Sequence, residues 1–338
     1  MTRPGVVLMN LGAPASAAEV RAFLFRLFQD REIFAFPGGR LLQPLFAGLV
    51  ALLRSPRVEV RYRSLPGGGS PLLPITRKQA VALERELALR GLGWPVEVAM
   101  RYSRPFAEDA LEGLKARGAD GVVGLPLYPQ FSRATGGSSL NALQAAWKKS
   151  ADRRPLRTVR SWHLERGLHQ AIVRRVLAAL EKLEGGGQTG LLFVAHSVPV
   201  RFVEQGDPYV QHVEETVLAL RRELDAAPGM AELPGVLAYQ SQVGPVRWVG
   251  PTVPAALRQM HQEGIRRVLV VPVSFVSDHL ETLYEIDLYY RKAAFELGME
   301  RFERVESLNA GRDFIETLGD LVVGAARSAH QGEGWVTG

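Results

Sequence analysis

Short runs rich in Val, Leu and Ile recur along this chain without a polar residue at every second position. Six are compact, at 6–9, 96–100, 121–125, 191–195, 235–239 and 268–273; two are weaker, at 158–162 and 304–306. A strand with one face in water alternates apolar and polar residues, so near-continuous runs predict strands buried on both faces, as in parallel sheets. Helical patterns lie around them at 17–28, 75–90, 105–117, 139–149, 164–184, 209–224, 252–263, 280–297 and 313–330. Strand–helix alternation of this kind predicts an α/β protein built from right-handed crossover units.

The two halves echo each other. Asn10-Leu11-Gly12-Ala13-Pro14 parallels Ala195-His196-Ser197-Val198-Pro199, and Met100-Arg101-Tyr102-Ser103 parallels Ala238-Tyr239-Gln240-Ser241. Gly124-Leu125-Pro126-Leu127-Tyr128-Pro129 parallels Val270-Val271-Pro272-Val273-Ser274-Phe275. The expected architecture is two similar doubly wound domains, each with a four-stranded parallel sheet flanked by helices, and a cleft between them. Residues 1–150 form the first domain, 151–310 the second, and 311–331 a C-terminal helix packing back. A length of 338 residues suits two domains. Ligands of open parallel sheets sit beyond the carboxyl ends of the strands, so the strand-end residues are the ones to examine.

Charge and composition narrow the chemistry. Lys and Arg number 41 against 35 Asp and Glu, a net charge of +6 with no block of basic residues, which does not call for nucleic acid. No cysteine is present, which excludes disulfides, thiolate-held clusters and a cysteine nucleophile. A reducing, cytoplasmic setting is expected, with no secretory leader at the start. The longest apolar stretch, 41–53, is too short to span a bilayer.

Two strand ends carry candidate chemistry. His196 directly follows a buried run, where a neutral imidazole offers a lone pair as general base or metal ligand; a core histidine bonded to a backbone carbonyl is the plainer alternative. Downstream of 268–273, Asp278, Glu281 and Glu285 fall at i, i+3 and i+7, one face of a helix. Acids suit a helix N-terminus, which accounts for Asp278 and Glu281 but less well for Glu285 and Asp287. A row of carboxylates also suits a hydrated cation shedding water stepwise, with His279 beside it as ligand or donor. Gly67-Gly68-Gly69-Ser70-Pro71 is not a phosphate loop; it permits a tight turn or a close backbone approach. The apolar insertion 33–54, flanked by arginines, reads either as one more buried helix or as a lip for a membrane surface or a large apolar ligand. Arg101, Tyr102, Tyr128, Phe131, Gln240 and Trp248 would suit a flat, carboxylate-bearing aromatic ligand, or plain packing.

Taken in order, these motifs resemble the ferrochelatase family. The matching stretches are Leu8 to Pro14, Gly67 to Pro71, Met100 to Tyr102, Leu127 to Ser132, Ala195 to Pro199, Gly206 to Tyr209, Gln240 to Pro245 and Phe275 to Leu283, spread over nearly the whole chain. The resemblance implies two Rossmann-like halves around a porphyrin cleft, and insertion of Fe²⁺, a substrate, into protoporphyrin IX at the last step of haem synthesis. It implies that His196 and Glu281 are the catalytic and metal-binding pair, that Asp278, His279 and Glu285 form a metal or proton path, and that Leu11, Arg101, Tyr102, Tyr128 and Trp248 bind porphyrin. The lip at 33–54 implies peripheral contact with the inner face of the plasma membrane. Without cysteine the chain carries no iron–sulfur cluster. Leu11 and the lip point to protoporphyrin rather than coproporphyrin. A coproporphyrin or other porphyrin chelatase, and a non-catalytic tetrapyrrole- or metal-binding protein, are the alternatives.

Overall fold

The structure, a computed structural model, describes residues 3–34, 36, 38–150, 153–183, 187–231, 233–242, 244 and 246–327. Residues 35 and 37 of the apolar insertion, 151–152 at the expected domain boundary, 184 of the fifth expected helix, and 328–331 of the expected last helix lie outside them.

Eight strands form two sheets. The first contains β1 (Pro4–Asn10), β2 (Val96–Met100), β3 (Gly121–Pro126) and β4 (Leu156–Thr158) in the order β2-β1-β3-β4, every pair parallel. The second contains β5 (Thr189–His196), β6 (Gly235–Gln240), β7 (Arg267–Pro272) and β8 (Arg301–Arg304) in the order β6-β5-β7-β8, again all parallel. All residues of β1, β3 and β7 are buried. Helices bracket them: α1 (Val20–Gln29), α2 (Gly39–Arg63), α3 (Leu72–Leu89), α4 (Ala107–Ala116), α5 (Ser138–Lys149), α6 (Arg166–Lys182), α7 (Val200–Glu204), α8 (Tyr209–Asp225), α9 (Val253–Gln262), α10 (Arg291–Glu296) and α11 (Arg312–Arg327).

The fourth strand of each sheet starts earlier than its apolar run predicts, at 156 rather than 158 and at 301 rather than 304. Pairing decides this. β4 matches only residues 122–124 of β3, and Trp162 leaves the ladder to donate its indole Nε1–H to Pro126 O at 2.9 Å. β8 pairs from Arg301 because its partner β7 begins at Arg267.

Two compact units divide the chain: residues 1–162 with 309–338, and 163–308. The first crosses 150/151 because β4 belongs to its sheet. It also takes α11, which is tied to its own elements. Arg90 bonds Asp320 Oδ1 at 2.6 Å and Glu316 O at 3.0 Å, and Arg157 donates to the final carbonyls, Ala325 O at 2.9 Å and Ala326 O at 3.0 Å. A cation at a helix C-terminus satisfies groups that have no partner within the helix.

Strand register defines equivalent positions. Met9 pairs with Pro126 and Val194 with Pro272; Met9 pairs with Ala99 and Val194 with Ala238. Leu11 therefore corresponds to His196. Arg101 corresponds to Gln240, one residue along from the parallel read in the sequence; backbone bonds from Met100 N to Pro105 O and from Tyr239 N to Pro251 O fix the same offset. Each sheet's third strand leads into a π-helical segment, Arg133–Gly137 in the first unit and Glu281–Tyr290 in the second. Such i→i+5 stretches are rare and cluster at functional sites.

Two features of the first unit decide alternatives left open above. Gly69 makes the close approach: a Cβ there would lie 1.9 Å from Ala15 O, while Ser70 N bonds Pro14 O at 2.9 Å. α2 turns its small and polar residues inward. Gln43, Ala47, Ala51 and Ser55 are buried at i, i+4, i+8 and i+12, with Gln43 Nε2 donating to Phe28 O and Phe34 O at 2.8 and 2.7 Å. The leucines point outward: Leu41 is 89 % exposed, Leu45 69 % and Leu53 68 %. A buried helix would show the reverse.

Candidate active site

His196 ends β5, the central strand of its sheet flanked by β6 and β7. Its Nδ1 lies 2.6 Å from Ser197 O. A carbonyl only accepts, so Nδ1 carries a hydrogen, and in the neutral ring Nε2 presents the lone pair. The backbone is equally fixed: His196 N donates to Ser274 Oγ at 3.0 Å, and the Tyr209 hydroxyl donates to His196 O at 3.0 Å. Ser197 Oγ donates to Val249 O at 2.8 Å, and a bridge from Pro199 to Trp248 holds that tryptophan's backbone beside the segment after His196.

Phe275 stands between this histidine and the next. Its ring is edge-on to His196 at 6.3 Å and to His279 at 4.4 Å. His279 Nε2 lies 3.3 Å from Glu281 Oε2, and His279 Nδ1 is buried with no hydrogen-bond partner among the described residues. Burial, with His196 and Arg304 nearby, lowers the His279 pKa against the pull of Glu281 and Asp278. The imidazole is thus neutral at pH 7, a buried ring able to pass a proton or a lone pair.

Gln240, the register partner of His196 on β6, ties the strand ends to the π-helix. Its Nε2 donates to Glu281 O at 3.1 Å and Glu285 Oε2 at 3.3 Å, and Ser241 Oγ donates to the same Glu285 oxygen. His196, His279, Glu281 and Glu285 therefore meet round one corner of the second unit.

Asp278 is placed differently from the rest of the acidic row. It precedes the π-helix, and its Oδ1 accepts from Thr282 at 3.2 Å, Ser307 at 2.7 Å and Arg304 at 3.1 Å. Arg304 also forks onto Asp287, Nε to Oδ1 and Nη2 to Oδ2 at 2.8 Å each. Burial works against the Arg304 charge, but the two aspartates outweigh it and raise its pKa. One arginine so neutralises two of the four acids, while Glu281 faces His279 and Glu285 is held by Gln240 and Ser241.

The first unit gathers its own strand-end residues. Tyr102 is fully buried and donates to Asp30 Oδ2 at 2.6 Å; Arg101 reaches the same oxygen at 2.7 Å, and Ser138 at 2.5 Å. Burial pushes the Asp30 pKa up, yet hydrogen bonds from Ser138 and Tyr102 and the Arg101 charge bring it below the ordinary value. Burial and the Asp30 charge raise the Tyr102 pKa. Leu11 is half-buried, with its carbonyl accepting from Tyr102 N at 2.9 Å; Tyr128 is half-buried beyond β3. Asn10, Arg26, Asp30, Arg101 and Phe106 border a cavity of about 510 Å³ in this unit. The Asp30–Ser138 pair, Phe275 and Arg304 were not singled out as site residues in the sequence. Phe275 lies in a motif that was, and Gln240 was among the strand-end candidates, but Asp30 meets its partners only through the fold.

Residues 3–326 match the ferrochelatase family model. A ferrochelatase of Trichodesmium erythraeum is 41% identical over 328 residues, covering 96% of this chain and 83% of that protein. One of Desulfotalea psychrophila is 43% identical over 319 residues, covering 94% and 96%. The fold is shared with SirB from Bacillus subtilis solved with Fe³⁺, at 13% identity and a TM-score of 0.53 over 76% of this chain and 93% of that one. Deinococcus radiodurans DR2241, a multi-domain protein described as similar to chelatases, gives 12% identity and a TM-score of 0.54 over 99% of this chain and 57% of that one. A family match spanning both sheets, with relatives above 40% identity over 83% and 96% of their own lengths, makes this chain a member of the ferrochelatase family.

Proposed function

We infer that this chain is a lyase of the ferrochelatase type, inserting Fe²⁺ into a porphyrin, with protoporphyrin IX as the acceptor that Leu11 and the apolar lip favour. The reaction replaces two pyrrole N–H protons with one cation, so it needs a base, a cation guide and a way to expose nitrogen lone pairs. His196 is the base: its Nδ1 is committed to a backbone carbonyl, and the remaining nitrogen takes a pyrrole proton. Glu281 and its neighbour His279 guide the cation and strip its water, and Glu285 continues the path. Asp278, held by Arg304, fixes the start of the acidic segment. Arg101 answers the porphyrin carboxylates, Trp248 and Tyr128 offer aromatic faces, and Tyr102 sets the Asp30 network beneath Arg101. Binding contacts away from the metal can support about 1–5 kcal/mol of ring distortion, which brings a lone pair out of the plane.

The observation that carries this reading is the tautomer imposed on His196, an imidazole with one working nitrogen beside a neutral His279 and two glutamates. Anaerobic mixing with Fe²⁺ and protoporphyrin IX should replace the free-porphyrin absorbance bands by those of the haem. Competition with coproporphyrin tests the acceptor: preferential metallation of coproporphyrin overturns the assignment to protoporphyrin. Porphyrin binding without metallation would make the chain a tetrapyrrole-binding protein.

The outward leucines of α2 support peripheral attachment to the cytoplasmic face of a membrane, where an apolar macrocycle partitions. No helix among the described residues is long and apolar enough to cross a membrane. The apolar ridge would lie in the interface plane, with the flanking arginines toward anionic headgroups.

A further inference from the structure

Three side chains that chelation leaves unused meet where the segment entering α6 crosses α8. His163 Nε2 lies 2.7 Å from Glu215 Oε2. The His163 and His212 rings stack with centroids 3.8 Å apart and planes within 9° of parallel. One ligating atom from each of the three lies within 4.8 Å of the others. His212 and Glu215 stand at i, i+3 on α8 and so share a face. The same spacing supplies a carboxylate and an imidazole to metal centres between packed helices.

The surroundings are braced. His163 is 8 % exposed, its carbonyl held by His169 Nε2 at 2.7 Å. Thr216 Oγ1 donates to His212 O at 2.7 Å, fixing the turn that carries both α8 groups. Gln211 Nε2 takes Glu215 Oε1 at 2.8 Å, which turns Oε2 toward His163. An ion pair needs only one of the two histidines. The second imidazole adds a third ligating atom within 4.8 Å of the other two, which completes a two-histidine, one-carboxylate donor set.

We propose that His163, His212 and Glu215 bind one divalent transition cation at a site separate from the chelation residues. Two imidazole nitrogens and one carboxylate oxygen select a zinc- or cobalt-class ion over magnesium or calcium, which take oxygen ligands. The ion clips α8 to the segment entering α6.

The test uses the full chain, its H212A variant, and E215Q, which keeps the size of residue 215 but removes its charge. Each protein is equilibrated with Zn²⁺, passed through a desalting column, and its zinc counted by mass spectrometry; folding is checked by circular dichroism. The unaltered chain should retain one zinc per chain more than H212A. Ions held at the chelation residues are common to both and cancel in the difference. A parallel Co²⁺ titration followed by visible absorbance should show E215Q at least about tenfold weaker. Equal zinc content in unaltered chain and folded H212A, or an unchanged Co²⁺ curve in E215Q, overturns the proposal; should H212A not fold, the E215Q titration alone decides.

Discussion

A single hydrogen bond from His196 Nδ1 to the carbonyl of Ser197 fixes what that residue can do, since it leaves one nitrogen to accept a proton or meet a cation. Changing His196 to Ala should lower metallation by about 10²–10⁴-fold, the usual worth of a positioned acid–base group, with porphyrin fluorescence quenching unaltered; a variant that still turns over at the normal rate refutes the assignment. Glu281→Gln should likewise lose metallation while keeping porphyrin affinity. Asp30 carries a different kind of expectation. Its folded pKa lies below the ordinary carboxylate value, so its ionised form stabilises the fold above that value, and the contribution is lost as pH falls through the folded pKa. Asp30→Asn leaves Arg101 without its counter-charge and should cost about 3 kcal/mol at neutral pH. Urea unfolding should show the gap between variant and unaltered chain closing under acid conditions; a gap independent of pH would exclude the charge as its cause. His196 was legible in the sequence because it abuts a buried strand. Asp30 was not, because Arg101 and Ser138 lie 71 and 108 residues away, and only the folded sheet brings them together.

At the level of elements, the segment after β7 shows where periodicity succeeds and where it fails. A helix over 280–297 is correct as an element, but the ten residues Glu281–Tyr290 adopt i→i+5 bonding, and the α-helix proper is Arg291–Glu296. Nothing in a 3.6-residue pattern separates the two. Nor could spacing reveal that Asp278 and Asp287 both lean on Arg304, which is 9 % exposed in its side chain. Arg304→Met should strand two partly buried carboxylates and destabilise the protein by about 3–5 kcal/mol. Amide exchange should then quicken first across 278–290. Protection there equal to that of the unaltered chain would mean that the arginine does not hold the segment. The glycine run was legible only as a choice between a turn and a close approach. Gly67 and Gly68 supply the turn, with φ of 82° and 71°, and Gly69 the approach, against Ala15 O.

For the molecule as a whole, repetition was legible because two parallel sheets built from the same strand order leave matching dipeptides at matching strand ends. What repetition concealed is that the two copies differ in chemistry: where the second unit has His196, the first has Leu11. The apolar insertion could be read either way, since a leucine-rich helix looks the same whether its leucines face in or out; Gln43, Ala47 and Ala51 on the inner face settle the direction. Replacing Leu41, Leu45 and Leu53 together by Ser should leave stability within about 0.5 kcal/mol, as these side chains are exposed, while sharply reducing co-sedimentation with anionic vesicles. Undiminished co-sedimentation would place any membrane contact elsewhere.

That inward face of small residues has a practical consequence. Six leucines of α2, at 41, 42, 45, 49, 52 and 53, are left in water when nothing covers them. In plain buffer the only greasy partner on offer is another molecule of the same kind, so concentrated preparations should clump. A mild detergent added above its micelle threshold should return them to single particles in light scattering.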